Sequence, residues 1–277
     1  MHAEIFGEYW AAMDLPFPCE IHACWPRASK LPDARRVLAL FTEPKKGMIE
    51  NEWVRDNFQL FNLIATYDRT LADLPNVKII DFGGAHCNFP PRTKDFSISF
   101  ILSTGCNEPE YKGYDIRRDI AMNFGFLSVP GRLFFSSKRM ILKTEQIDSI
   151  IENQKLKNYS AMMLGDSKAI VFQSMFHVAV ENNMDEYYFT EKLIDCFRTY
   201  TIPIYWGTHR VLDIFDNDGI IYAKDNTKLH SIVSSLTPHD YWCRMAAMAR
   251  NYTLSESYLD PVGRLKRLIL ASLPWAI

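Results

Sequence analysis

The apolar positions between residues 176 and 207 change period twice. Phe176, Val178 and Val180 alternate and then stop at Glu181-Asn182-Asn183, the pattern of a strand whose carboxyl end carries three polar side chains. Beyond a polar loop, Leu193, Cys196, Phe197 and Tyr200 recur at i, i+3, i+4 and i+7, one apolar helix face, with Thr190 in an N-cap position ahead of Glu191 and Lys192. Pro203 cannot continue that helix, and Ile202 to Trp206 reads as the next strand, closing a βαβ unit with a right-handed crossover.

The same alternation runs through the rest of the chain. Short apolar runs at residues 37–41, 61–67, 77–82 and 96–102 read as strands buried on both faces, and residues 114–126, 145–157 and 167–172 as helices, with 48–58 a helix or an ordered loop. If residues 19–25 form a strand, Cys19, Ile21, Ala23 and Trp25 share one face while His22 and Cys24 share the other, so the two cysteines could not jointly ligate a metal. Strand and helix patterns in alternation predict doubly wound α/β layers. The pattern breaks near residue 92, which divides the chain into residues 1–95, residues 96–258 and a tail, 259–277. In that tail Leu259, Val262, Leu265 and Ile269 lie along one face beside Arg264, Lys266 and Arg267. A helix returning to the first domain is the preferred reading, with peripheral membrane contact the other.

Composition narrows the class. With 277 residues, 48% of them hydrophobic and 23% charged, the chain has material for two globular cores, and a formal charge of −2 argues against a nucleic-acid partner. No apolar run of membrane-spanning length and no signal-peptide pattern is present, so a cytoplasmic protein is expected. The six cysteines are scattered without zinc spacing and are read as reduced thiols. Asp216-Asn-Asp218 looks like a metal-binding triplet but sits in an Asn-Asp-Gly turn. His86 and Cys87 are read as loop residues, with a part in an acceptor cleft as the alternative.

In an open parallel sheet, ligands bind outside the carboxyl ends of the strands, and here that edge gathers Glu181 to Asn183, the Thr190 helix start and Trp206-Gly207. A helix N-terminus with a lysine in its first turn suits a phosphate, and a carboxylate beside it suits the vicinal hydroxyls of a ribose or sugar. Ordinary helix capping by Thr190 and Glu191, with a solvated Lys192, accounts for the same residues. Pattern alone leaves both readings open.

Val180-Glu-Asn-Asn183, Tyr188-Phe-Thr-Glu-Lys-Leu193 and Ile202-Pro-Ile-Tyr-Trp-Gly207 resemble the signature of the α1,3/4-fucosyltransferases. The similarity continues through residues 211–221 and 229–241 and, more weakly, covers residues 37–68. It implies a GT-B fold, two Rossmann-like doubly wound domains facing a cleft, with the acceptor and catalytic base on the first and the GDP-sugar on the second. The implied reaction is inverting transfer of fucose from GDP-fucose to a saccharide hydroxyl, with no essential metal or further cofactor. The alternatives are a same-fold enzyme using another GDP-sugar, or a non-catalytic sugar-nucleotide or glycan-binding protein.

Carried over residue by residue, the resemblance implies that Asn182, Tyr188 and Lys192 face the donor diphosphate and Glu191 the ribose. Arg117 matches the diphosphate arginine, with Arg118 the near alternative, and Glu181 and Trp206 are further possible donor contacts. Glu43 matches the base, with Glu50, Glu52 and Glu108 as fallbacks. The family's lysine before the Glu-Asn strand is replaced by Met175.

Overall fold

The computed structural model describes residues 14–24, 26, 33–40, 50–102, 111–123, 129–136, 159–165 and 167–273. The chain forms two compact units. The first comprises Met1–Gly84, Glu186–Tyr188 and Asp260–Ile277, and the second Ala85–Asp185 and Phe189–Leu259. The chain therefore leaves the first unit at Gly84, not at 95, because the His86 and Cys87 amides are bound to Asp195 of the second.

The first unit is built on a parallel sheet in the order β1 (Cys19–Ala23), β2 (Arg35–Leu40), β3 (Leu63–Thr66) and β4 (Val77–Ile79). Its central strands are apolar at successive positions because each face has its own helix. Leu38, Leu40 and Ile64 pack against Val54 of α1 (Asn51–Asn57). Val37, Ala39, Leu63 and Ala65 pack on the other side against Leu265 and Ile269. Those two residues belong to the helix of the tail, named α7 below (Pro261–Ser272), which starts with Pro261 at N1 and Asp260 accepting the Gly263 amide at 2.7 Å. Burying Leu265 and Ile269 contributes roughly 2 kcal/mol apiece.

The second unit holds a six-stranded parallel sheet. In chain order its strands are β5 (Asp95–Leu102), β6 (Gly131–Ser136), β7 (Tyr159–Leu164), β8 (Ser174–Val180), β9 (Ile202–Trp206) and β10 (Ile221–Tyr222). In space they run β10-β9-β8-β5-β6-β7. The chain enters at the centre, builds outward through β6 and β7, and returns to β8 on the other side of β5, so the winding reverses between β5 and β8. That reversal is the topological switch point, where doubly wound sheets hold their ligands.

Between strands run α2 (Lys112–Asn123) and α3 (Glu191–Arg198), and after β10 come α4 (Asn226–Ser235), α5 (Pro238–Trp242) and α6 (Met245–Leu254). The core of this unit includes Phe100, Phe134, Phe176, Phe197 and Ile204. The apolar runs do not announce β6 and β7. Gly131-Arg132 opens the one, and the other leaves Met162 and Met163 exposed. The helix expected over 145–157 lies outside the described residues.

Candidate functional site

The carboxyl end of β8 is built as a close approach of three backbones. The Gly113 amide at the start of α2 donates to the Asn182 carbonyl at 3.1 Å, and a Cβ on Gly113 would fall 1.8 Å from the Glu181 carbonyl oxygen. From the other side the Glu181 amide donates to the Trp206 carbonyl at 2.9 Å. A Cβ on Gly207 would fall 2.6 Å from Tyr205 Cζ and 2.9 Å from Glu181 Cγ, so the glycine after Trp206 leaves room for both the tyrosine and the glutamate.

Four charged side chains meet at the start of α3. Glu181, fully buried, accepts the Thr190 amide at 2.8 Å and the Thr190 hydroxyl at 2.9 Å. Thr190 is the N-cap, and its hydroxyl oxygen accepts from the Lys192 amide at 3.3 Å and from Lys192 Nζ at 3.1 Å. The same ammonium lies 3.6 Å from Glu181 and 3.6 Å from Glu191. Lys168 completes the group, 3.8 Å from Glu191 and 3.6 Å from Asp195. Its ammonium also lies 3.0 Å from His86 Nδ1.

The electrostatics follow from who is buried beside whom. Burial pushes the Glu181 carboxyl up from its ordinary value, and Lys192 opposes the rise. Burial works in the same sense on Glu191, but Lys192 and then Lys168 outweigh it and hold that carboxyl well below the usual range. Asp195 is raised by burial against the pull of Lys168, while its Oδ1 accepts the His86 and Cys87 amides at 2.6 and 2.8 Å. Two lysines and a helix N-terminus thus face partly open space beside an ionised carboxylate, an arrangement able to take a phosphate next to a diol.

Arg117 is carried on α2. It is 3% exposed, donates to the Val180 carbonyl and to Asn182 Oδ1 at 2.6 Å, and lies over the Tyr114 ring. Its guanidinium fastens α2 to the end of β8 and fixes the Asn182 side chain. Arg118, more exposed, pairs with Asp115 one turn away. Trp206 is buried and meets Glu181 through its carbonyl. Glu186–Tyr188 count with the first unit, where the buried Tyr188 ring packs on Tyr67 and Phe82 at centroid distances of 5.7 and 5.5 Å.

Glu43 and Glu108 lie outside the described residues, and Glu50 and Glu52 flank the start of α1. Asp216 accepts the Asp218 amide at 3.0 Å and pairs with Arg250, so that triplet is a capped turn. Among the described residues no group of three or more His, Cys, Asp or Glu side chains could hold a metal ion. No helix among them is long and apolar enough to cross a membrane. Lys168 and Asp195 are additions to the expected site. Asp195 follows Glu191 by one helical turn, but no spacing in the sequence signals Lys168, which reaches α3 only through the fold.

Residues 140–241 match the family model described as Glycosyltransferase family 10 (fucosyltransferase) C-term. Over these residues the chain resembles the C-terminal part of the family 10 fucosyltransferases. The family 10 match includes Lys168, Glu181, Asn182, Glu191 and Lys192, while Glu43 and Arg117 precede it. Over 79 residues the chain is 28% identical to the alpha-(1,3)-fucosyltransferase FucT of Helicobacter pylori, a stretch amounting to 28% of this chain and 16% of that protein. Among solved structures, TarM of S. aureus superposes with a TM-score of 0.58 at 10% identity, covering 89% of this chain and 52% of TarM. Anabaena HepE in complex with UDP gives 0.58 at 9% identity, covering 87% of this chain and 72% of HepE. The fold is GT-B, with parallel, Rossmann-like sheets in both units.

Proposed function

We propose that the chain is an inverting glycosyltransferase that moves fucose from GDP-fucose to a hydroxyl of a saccharide. One observation carries this reading: the start of α3, where Thr190, Glu191, Lys192 and Lys168 converge beside the switch point, falls within the family 10 match. In the proposed step the acceptor oxygen attacks the anomeric carbon from the face opposite the leaving group. Its proton passes to Glu43, the carbon–oxygen bond to the β-phosphate breaks, and GDP departs with the electron pair. Lys192, with Lys168 beside it, stabilises the charge growing on that phosphate, and Glu191 accepts hydrogen bonds from the ribose hydroxyls. Arg117 acts on the donor through Asn182, whose amide it orients. Two lysines and a helix N-terminus supply the positive charge for which other transferases use a metal ion, so activity is expected to persist in EDTA.

Calorimetry and turnover test the reading together. GDP should bind more tightly than UDP or ADP, and Lys192→Ala should weaken it about tenfold or more, the usual scale for a lost hydrogen bond to a charged group. Glu43→Gln should keep GDP affinity and lose fucose transfer. Equal affinity for GDP, UDP and ADP would sink the donor assignment. Normal turnover by the glutamine variant would move the base to another residue, and GDP binding without any transfer would favour a binding protein.

A further inference from the structure

We infer that Glu181 is a positioning residue for the diphosphate: buried beneath the start of α3, it sets through the Thr190 hydroxyl the point from which the Lys192 ammonium meets a nucleoside diphosphate. The inference rests on the proposed role of Lys192. Glu181 has no exposed surface and cannot touch a ligand itself.

Its two oxygens have separate partners. Oε1 accepts the Thr190 amide and Oε2 the Thr190 hydroxyl proton. With that proton committed, the hydroxyl oxygen has only lone pairs left to offer, and both the Lys192 amide and the Lys192 ammonium donate to it. The order of control therefore runs from carboxylate to hydroxyl to ammonium. One ammonium donor is fixed on Thr190, and the other two are left for Glu181, for Glu191 or for an arriving phosphate.

Helix capping by itself does not call for this carboxylate. In a capping box a Glu or Gln at the third helical position takes the N-cap amide. Here that position is Leu193, buried in the core, and Glu181 takes the amide instead from the end of a different element. A fully buried carboxylate is costly unless it is paired, and the ammonium 3.6 Å away is its charged partner. The arrangement places that cost directly behind the residue proposed to hold the leaving group.

The test compares GDP with guanosine by calorimetry in wild type, Glu181→Gln, Lys192→Ala and the double variant. Glu181→Gln is expected to lose about tenfold in GDP affinity, to bind guanosine as wild type does, and to add nothing to the loss already caused by Lys192→Ala. Equal losses for GDP and guanosine would mean general loosening of the unit and would overturn the inference, as would additive losses in the double variant or no loss at all. Should Glu181→Gln fail to fold, Thr190→Val should reproduce its GDP-selective loss while Thr190→Ser restores affinity. If serine and valine behave alike, the hydroxyl link is wrong. A wild-type chain that binds guanosine as tightly as GDP would overturn the proposed function and this inference with it. A wild-type preference for GDP that survives in Glu181→Gln would overturn the inference alone.

Discussion

Among the described residues, the polar side chains buried in the first unit are His22 and Thr66, whereas the second buries Arg117, Glu181, Asp195 and Arg198 along with a series of hydroxyls and amides. Both units are parallel sheets covered by helices, so the difference does not come from architecture. In the first, β2 and β3 need side chains of the right volume on both faces, and many aliphatic combinations would serve. In the second, each buried charge is tolerable only with its partner in place. Arg117 requires the Val180 carbonyl and Asn182, Arg198 requires Asn88 and the Tyr252 carbonyl, and Glu181 requires Thr190 and Lys192. A sheet that only had to be stable would not need them, and Arg117 and Glu181 lie where the second sheet presents its carboxyl edge.

That contrast can be broken experimentally. The largest effect is expected from Gly113→Ala, since the added methyl would meet the Glu181 carbonyl. A loss at or beyond the about 3 kcal/mol upper end for overpacking should appear as faster amide exchange in β8 and β9, with β2 and β3 unchanged. Unaltered exchange in β8 would mean that the carboxyl edge is loosely built. The counterpart in the first unit is Leu265→Ala, which empties one contact between α7 and the sheet and should cost about 2–3 kcal/mol, read in β2 and β3 alone.

A smaller effect near neutral pH comes from His177, bound to Ser99 in the second sheet at 2.8 Å. Burial, helped by Lys168 and Lys94, pushes its pKa down to about 3 from an ordinary 6.5. The folded form therefore takes up fewer protons than the unfolded form between those values. The stability this contributes is present above about 6.5 and is lost as the pH falls toward 3. His177→Phe should shift acid unfolding of the second unit to lower pH, with Ser99 still donating to the Phe176 carbonyl. An unchanged acid midpoint would remove His177 from the comparison.

The elements legible in the sequence were those marked by a local run or by consecutive signal residues. β2, β3, β5, β8 and β9 are apolar runs closed by turn residues, and the start of α3 announces itself because Thr190, Glu191 and Lys192 are consecutive. β7 has neither signal, since this edge strand keeps its methionines in solvent and so lacks a clean alternation. The site divides in the same way. That Glu181 ends a strand can be read from spacing, but a polar residue at a strand end reads as solvated, and only the close passes of Gly113 and Gly207 show why it is buried. Arg117 has a legible position on a helix, while its direction, into the end of β8, depends on packing. The meeting of Lys168, His86 and Asp195 joins three distant stretches and leaves no local trace.

The helix covering one face of the first sheet, α7, also dictates an order of events during synthesis. The strands it protects leave the ribosome early, and Leu265 and Ile269 follow only after the entire second unit has been translated. Until then Val37, Ala39, Leu63 and Ala65 form an uncovered greasy surface on a nascent chain, a natural place for a chaperone to bind. Translation speed through the second unit therefore sets how long the first must wait.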